Sequence, residues 1–410
     1  MSTPQDVLRA VDPEIAGLID DEVARRRDGL QLLAAETVAS DAVRAATGSI
    51  LADKYAEGYP ERRFHGGCEV VDQVEELAAA RARELFGAEY ANVQPLSWTL
   101  ANLAVYAAFG QPGDLVLSLS LKHGGHQSHG SRVNSSGRWF TVVNYGVCED
   151  TEQVDYARVH ELAMIHRPRI IVAGGTSYTR EWDLLRLREI ADEAGCILWV
   201  DAVHTAGLAV GGVLASPVPH ADVVTVATNK VMRGPRGGLI LSREEHAPAL
   251  ARAVYPFLQG SPVMNVVAAK AVAFAESATS EYRTYARAVA DSASALSAEL
   301  ADRGLRAVSG GTDTHVGLTE VSSLGITGRE AAARLAASGL IVDKAVTPFD
   351  QNPLSEGSAI RFGTAVTTAS GVSPSAMAQV ADLMVAAMRI PLDEQARHEA
   401  VRRDVVALYA

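Results

Sequence analysis

Cysteine is scarce in this 410-residue chain, and no long apolar run is free of charge. The three cysteines, Cys68, Cys148 and Cys196, form neither a metal-ligand spacing nor an even-numbered disulfide framework. They read as reduced, partly buried structural thiols in a cytoplasmic protein, with a cysteine nucleophile as the rarer alternative. No apolar stretch has the length of a membrane span. The N-terminus, Met1 to Asp6, has neither a basic start nor an apolar signal core. Positive charge is also short. The net charge of -12 at pH 7 argues against a nucleic-acid surface and against binding to an anionic membrane. A small anionic ligand stays open, because it needs only a local basic cluster. Internal repeats and low-complexity tracts are missing. What is present is 48% hydrophobic, enough for a sizeable core in two domains or in one large α/β domain with an appendage.

Residues 1–30 read as a helical arm, with Glu22, Arg25, Arg26 and Arg27 on its polar face. Across residues 31–280, short apolar runs alternate with amphipathic helical stretches. The runs Leu115 to Leu119, Ile170 to Ala173, Ile197 to Val200 and Val223 to Val226 read as strands, and Leu184 to Ala194 as a helix. That rhythm predicts βαβ units and an α/β fold with a mostly parallel central sheet covered on both faces. Ala275 to Arg303 reads as one long helix leading into a smaller C-terminal α+β domain, residues 281–410, with short strands at Val316 to Thr319 and Leu340 to Val342.

The most informative stretch is Thr228-Asn229-Lys230, between an apolar run and the turn Arg233-Gly-Pro-Arg-Gly-Gly238. A lysine held by a strand-end loop suits a Schiff base with a carbonyl. Upstream, the run ending in Val200 is followed by Asp201, with His204 close behind. A carboxylate at a strand end is what pyridoxal phosphate (PLP) needs to keep its ring nitrogen protonated. The competing reading is a solvated lysine and a helix-capping aspartate. Ser97, Trp98 and Thr99 precede a helical stretch, Leu100 to Phe109, whose N-terminus would suit a phosphate; plain N-capping is the commoner use of such hydroxyls. His123, His126 and His129 crowd into seven residues, yet no carboxylate or cysteine joins them at a ligand spacing. No metal is expected; an imidazole stacked on a flat ring is the better functional reading, and surface histidines on a loop are the alternative. Tyr55, Glu57 and Tyr59 lie in a Gly/Pro-punctuated turn that could relay protons at a substrate hydroxyl, or simply pack its rings. Arg361, between apolar residues, suits a substrate carboxylate or an internal salt bridge.

Longer segments carry a resemblance. They include Asp53-Lys-Tyr-Ala-Glu-Gly-Tyr-Pro60, Gly66-Gly-Cys-Glu69, Glu84 to Pro95, His123-Gly-Gly-His126, Arg233 to Gly238 and Ala268 to Phe274. From about residue 30 to 390 the chain resembles the serine hydroxymethyltransferase family. The resemblance implies the type I fold of PLP-dependent transferases. By position it implies Lys230 as the Schiff-base lysine, Asp201 as partner of the ring nitrogen, and His126 stacked on the ring. His204 and Thr176 would lie near the phenolic oxygen, and Ser97 and Thr99 would hold the phosphate. Arg361 would bind the substrate carboxylate, and Glu57, with Tyr55 beside it, would do acid–base work at the substrate hydroxyl. It also implies a homodimer, with dimer versus tetramer open, whose sites are built across the subunit interface.

Departures from the family pattern cluster around substrate and carrier. Ala35 removes a hydroxyl, Phe64-His65 replace paired tyrosines, Trp98 stands for a glycine, and Asn229 for a histidine. Ser261 stands for a glycine in the loop that reaches the neighbour's phosphate. Ala345 and Gln127 replace an asparagine and a leucine that help hold folate. These changes lead to the expectation of a divergent, folate-independent enzyme acting at Cα of an amino acid. Aldol or retro-aldol chemistry would serve specialised metabolism such as antibiotic biosynthesis, with Phe64 and His65 shaping the substrate pocket. The alternatives are β-elimination, decarboxylation or oxidative deamination of a larger conjugate; the tetrahydrofolate-dependent hydroxymethyltransferase reaction itself; and a non-enzymatic PLP-binding protein.

Overall fold

A computed structural model describes residues 3–408. Its centre is a seven-stranded sheet in the spatial order Tyr90–Asn92, Gly238–Ser242, Val223–Ala227, Ile197–Asp201, Ile170–Ala173, Leu115–Leu119, Thr141–Tyr145. The last five strands run parallel to one another, and Gly238–Ser242 is antiparallel to both its neighbours. The four strands expected from the apolar runs are all here, extended by at most one residue, and the helix Leu184–Ala194 has the expected bounds.

Alternation along the strands explains the layering. Leu117, Leu119, Ile171, Ala173, Leu198, Val200, Val224 and Val226 enter one core. Val116, Ile170, Val172, Trp199 and Val223 enter another on the opposite face. Both faces are apolar because both are covered by helices, which is why these strands read as continuous apolar runs. The fold class is α/β with a mostly parallel central sheet, as expected.

Two helical expectations need correcting. The N-terminal arm is two helices, Pro4–Val11 and Pro13–Arg27. Asp12 ends the first, its side chain accepts from the Ile15 amide, and Pro13 opens the second, where its missing N–H costs nothing. The stretch 275–303 is likewise divided, into Met264–Ser277 and Ser280–Asp302, because the Thr279 hydroxyl accepts from the Tyr282 amide and restarts the helix.

A second, four-stranded sheet is wholly antiparallel, in the order Arg306–Ala307, Val316–Glu320, Ala359–Gly363, Asp343–Ala345. The expected strand at residues 340–342 is shorter: Leu340–Ile341 leaves this sheet and pairs in parallel with Leu30–Gln31. Leu30 and Leu32 thereby join the C-terminal core beside Leu296, Leu335 and Phe362. Among the described residues no helix is long and apolar enough to cross a membrane.

Candidate active site

The parallel strands Ile197–Asp201 and Val223–Ala227 are neighbours, and both point their C-terminal ends at one cleft. In open α/β sheets that is where ligands bind. Trp98, His126, Gly175, Thr176, Asp201, Val203, His204 and Lys230 line it.

Asp201 ends its strand buried. Its Oδ2 accepts from His129 Nε2 at 2.8 Å and from Asn102 Nδ2 at 2.9 Å, and its Oδ1 from the Val203 amide at 3.1 Å. Burial alone would raise its pKa. The hydrogen bond from His129, its charge, and the hydrogen bond from Asn102 overcome that and hold it below the ordinary carboxylate value. An ionised carboxylate is thus kept ready for a ring N–H.

Lys230 lies three residues beyond its strand, buried, with Nζ 2.6 Å from His204 Nε2 and 5.6 Å from the centre of the Trp98 ring. Burial pushes its pKa down to about 7; Asp201 opposes the shift and Arg361 adds to it. A large fraction of the amine is therefore neutral near pH 7, the form that attacks a carbonyl. His204 is also driven well below its usual pKa, first by burial and then by Lys230. Its ring stacks on His315 at 5.4 Å, and His315 Nε2 donates to the Ala34 carbonyl at 3.1 Å. His126 faces the cleft with Nδ1 2.7 Å from the Ser128 hydroxyl, its pKa lowered to about 4 chiefly by burial. It presents a neutral flat ring.

Ser97 is the N-cap of the helix Trp98–Phe109, its hydroxyl accepting from the Leu100 amide at 3.2 Å. The capping reading holds, and the same helix end presents free N–H groups beside Trp98 and Thr99. Gly238 fixes how closely the glycine turn packs here: a Cβ on it would meet the Ser97 carbonyl oxygen at 2.4 Å. Gly174, at φ +130°, has a similar task, since a Cβ there would sit 2.3 Å from the Asp201 carbonyl oxygen. Thr176 donates its amide to Gly124 O at 2.7 Å and accepts from Arg361 Nη1 at 3.0 Å. Arg361 also reaches Asp343, so the internal-salt-bridge reading holds too.

The remaining candidates form a second group on the surface. His65 Nε2 lies 3.6 Å from Glu57 Oε2, and Tyr55 and Phe64 meet the His65 ring edge-on at 5.7 and 5.2 Å. Ser261 Oγ accepts from the Ala56 amide at 2.9 Å. Phe64 is 78% exposed and Tyr55 64%. Among the described residues, no hydrogen bond, ion pair or ring contact joins Tyr55, Glu57, Phe64, His65 or Ser261 to Lys230, Asp201, His126, His204 or Arg361.

A cavity of about 400 Å³ opens beside the cleft, walled by Leu121, Gly124, Thr176, Ser309, Asp343, Ala345 and Arg361 among others. Ala345 faces it, whereas Gln127 lies exposed outside its lining.

A sequence model described as serine hydroxymethyltransferase matches residues 8–384. The chain belongs to the serine hydroxymethyltransferase family. A serine hydroxymethyltransferase of Acidobacterium capsulatum is 48% identical over 377 residues, 92% of this chain and 88% of its own. That of Koribacter versatilis is 48% identical over 373 residues, 91% and 88% of the two chains. That of Coprothermobacter proteolyticus is 50% identical over 367 residues, 90% and 88%. Serine hydroxymethyltransferases are PLP-dependent transferases, and this chain is an enzyme of that type.

Several residues of this serine hydroxymethyltransferase-family site carry no signal in isolation. His129 closes the histidine run three residues after His126, yet its work on Asp201 shows only in three dimensions, as does that of Asn102. His315 and Asp343 come from the C-terminal part of the chain and meet the cleft only through folding.

Proposed function

We propose that the protein transfers the hydroxymethyl group of serine to tetrahydrofolate, leaving glycine. Relatives at 48–50% identity over some nine-tenths of the chain bear the name of that reaction. They weigh more than the scattered departures that suggested folate-free aldol chemistry in specialised metabolism. The observation that carries the reading is the pairing of a buried, partly neutral Lys230 with a buried, ionised Asp201 at adjacent strand ends.

The residues fit pyridoxal phosphate by their donor chemistry. Lys230 would hold its carbonyl carbon, Asp201 its ring N–H, His126 one ring face, His204 and Thr176 its phenolic oxygen, and the helix end at Ser97, Trp98 and Thr99 its phosphate. Bound there, the group supplies an electron sink for bond breaking at a substrate α-carbon. Arg361 binds the substrate carboxylate and so orients the bond to be broken. Glu57 takes the proton of the serine hydroxyl as the Cα–Cβ bond breaks. His65 and Tyr55 shape its surroundings.

Glu57 and its neighbours sit on an exposed, partly apolar surface of their own chain. We read them as completing the cleft of a second copy, so the working unit is a homodimer or a tetramer of such dimers. The exposed Val7, Val11, Ile15, Leu18 and Ile19 of the N-terminal helices, and exposed Phe257, support burial against that copy.

Folate-independent aldol cleavage remains the second reading. Ala345 favours it, offering the large cavity a methyl group where a hydrogen-bonding side chain would grip a carrier. The deciding experiment is the rate of glycine formation from serine by PLP-loaded protein, with and without tetrahydrofolate. Strong dependence on tetrahydrofolate supports transfer. An equal rate without it, or faster cleavage of a bulkier β-hydroxy amino acid, supports the aldol reading.

A further inference from the structure

The Arg361 guanidinium already holds a carboxylate. Asp343 is its direct cross-strand partner in the four-stranded sheet. Nε and Nη2 of Arg361 both donate to Asp343 Oδ2, at 3.2 and 2.5 Å, while Nη1 donates to the Thr176 carbonyl at 3.0 Å. The arginine side chain is 13% exposed and the aspartate 36%, and both border the 400 Å³ cavity. Asp343 is close enough to the cleft for its charge to act on Lys230, as does that of Arg361.

We infer that Asp343 is a specificity-determining residue that competes with the substrate's α-carboxylate for Arg361. The inference rests on the reading of Arg361 as the carboxylate site. A guanidinium presents a limited fork, and Asp343 takes the edge formed by Nε and Nη2. An incoming carboxylate must share the remaining donors or displace Asp343, and in either case two like charges crowd one cation. Arg361 therefore binds an amino acid less tightly than an unpaired arginine at the same depth would. It also separates a carboxylate from an uncharged carboxamide less sharply.

The test is the affinity of PLP-loaded protein for glycine and for glycinamide, read from the change in cofactor absorbance, with kcat and KM for serine alongside. Asp343→Asn keeps the shape and a hydrogen bond but removes the charge. Glycine should then bind about tenfold more tightly, while glycinamide affinity changes much less. Asp343→Ser serves if the first variant folds poorly. Unchanged or weaker glycine binding in these variants overturns the proposal and makes Asp343 an orienting partner of Arg361. Arg361→Ala separates the two readings. If it weakens glycine binding while Asp343→Asn has no effect, only the competition fails. If Arg361→Ala leaves glycine binding intact, the carboxylate assignment fails as well.

Discussion

The cleft around Lys230 and the surface around Glu57 differ in what they lack. In the cleft, Asp201 accepts from His129, Asn102 and a backbone amide, and Lys230 is matched to His204. Its groups are buried, and burial first and neighbouring groups second shift their protonation. Around Glu57, Phe64 and Tyr55 are largely in solvent, and His65 Nε2 lies 3.6 Å from its carboxylate. Buried polar groups must find partners within their own chain, whereas an exposed apolar patch can wait for another surface. On the proposed dimer reading, the contrast separates chemistry that one chain completes from chemistry it contributes to a neighbour.

The sharpest way to break that comparison is complementation. Lys230→Ala should lower serine turnover by about a thousandfold or more, and Glu57→Gln should also inactivate the enzyme. If Glu57 serves the neighbouring chain, an equal mixture of the two variants, unfolded and refolded together, should regain about a quarter of wild-type activity. No recovery in refolded mixed dimers would place both residues in one chain's site.

Next in size is Lys270, whose fully buried ammonium sits where the segment Val93 to Pro95 meets Gly238, the first residue of its strand. Its Nζ donates to the carbonyls of Val93, Pro95 and Gly238 at 2.6, 3.1 and 2.8 Å. Burial pushes its pKa down to about 7, with Glu75 opposing. Three accepting carbonyls call for three N–H donors, which only the ammonium supplies. Lys270→Met should cost about 3 kcal/mol in urea unfolding, because the buried carbonyls of Val93, Pro95 and Gly238 lose its N–H donors and Pro95 keeps the Gly238 amide besides. It should also loosen the Ser97 turn.

A further effect, smaller per pH unit, concerns pH. Lys230 titrates at about 7 when folded and at 10.5 in its unshifted form. Between those values the unfolded chain binds the extra proton, so the stability of cofactor-free protein rises with pH there. The rise is at most about 1.4 kcal/mol per pH unit for this group. Lys230→Met should remove that part of the slope in unfolding midpoints measured across the interval. An unchanged slope would mean the amine is not perturbed by burial. Smallest of all, Asp41→Asn removes a surface pair with Arg44 and should shift stability by less than about 0.5 kcal/mol.

Much of the fold was legible because local chemistry and tertiary role coincide. Ile170–Ala173 and Val223–Ala227 are apolar on both sides since helices cover both faces. The helix breaks at Asp12–Pro13 and Thr279 were written in capping residues, yet amphipathic periodicity running through them hid the interruption. Of the site, Lys230, Asp201, His204, His126 and Thr176 do converge on one cleft. Their separation from Glu57 and His65 within one chain could not be read from spacing.

The sequence by itself determined the family, the sheet-centred fold and the placing of a lysine and an aspartate at strand ends. Those features depend on contiguous apolar patterning and on glycines that permit tight turns. Tertiary structure alone decided that His129 bonds Asp201, that Lys270 gathers three carbonyls, and that Asp343 holds Arg361. Such pairings depend on strand register and on burial between residues far apart in the chain, and it is burial that turns a nearby charge into a strong one.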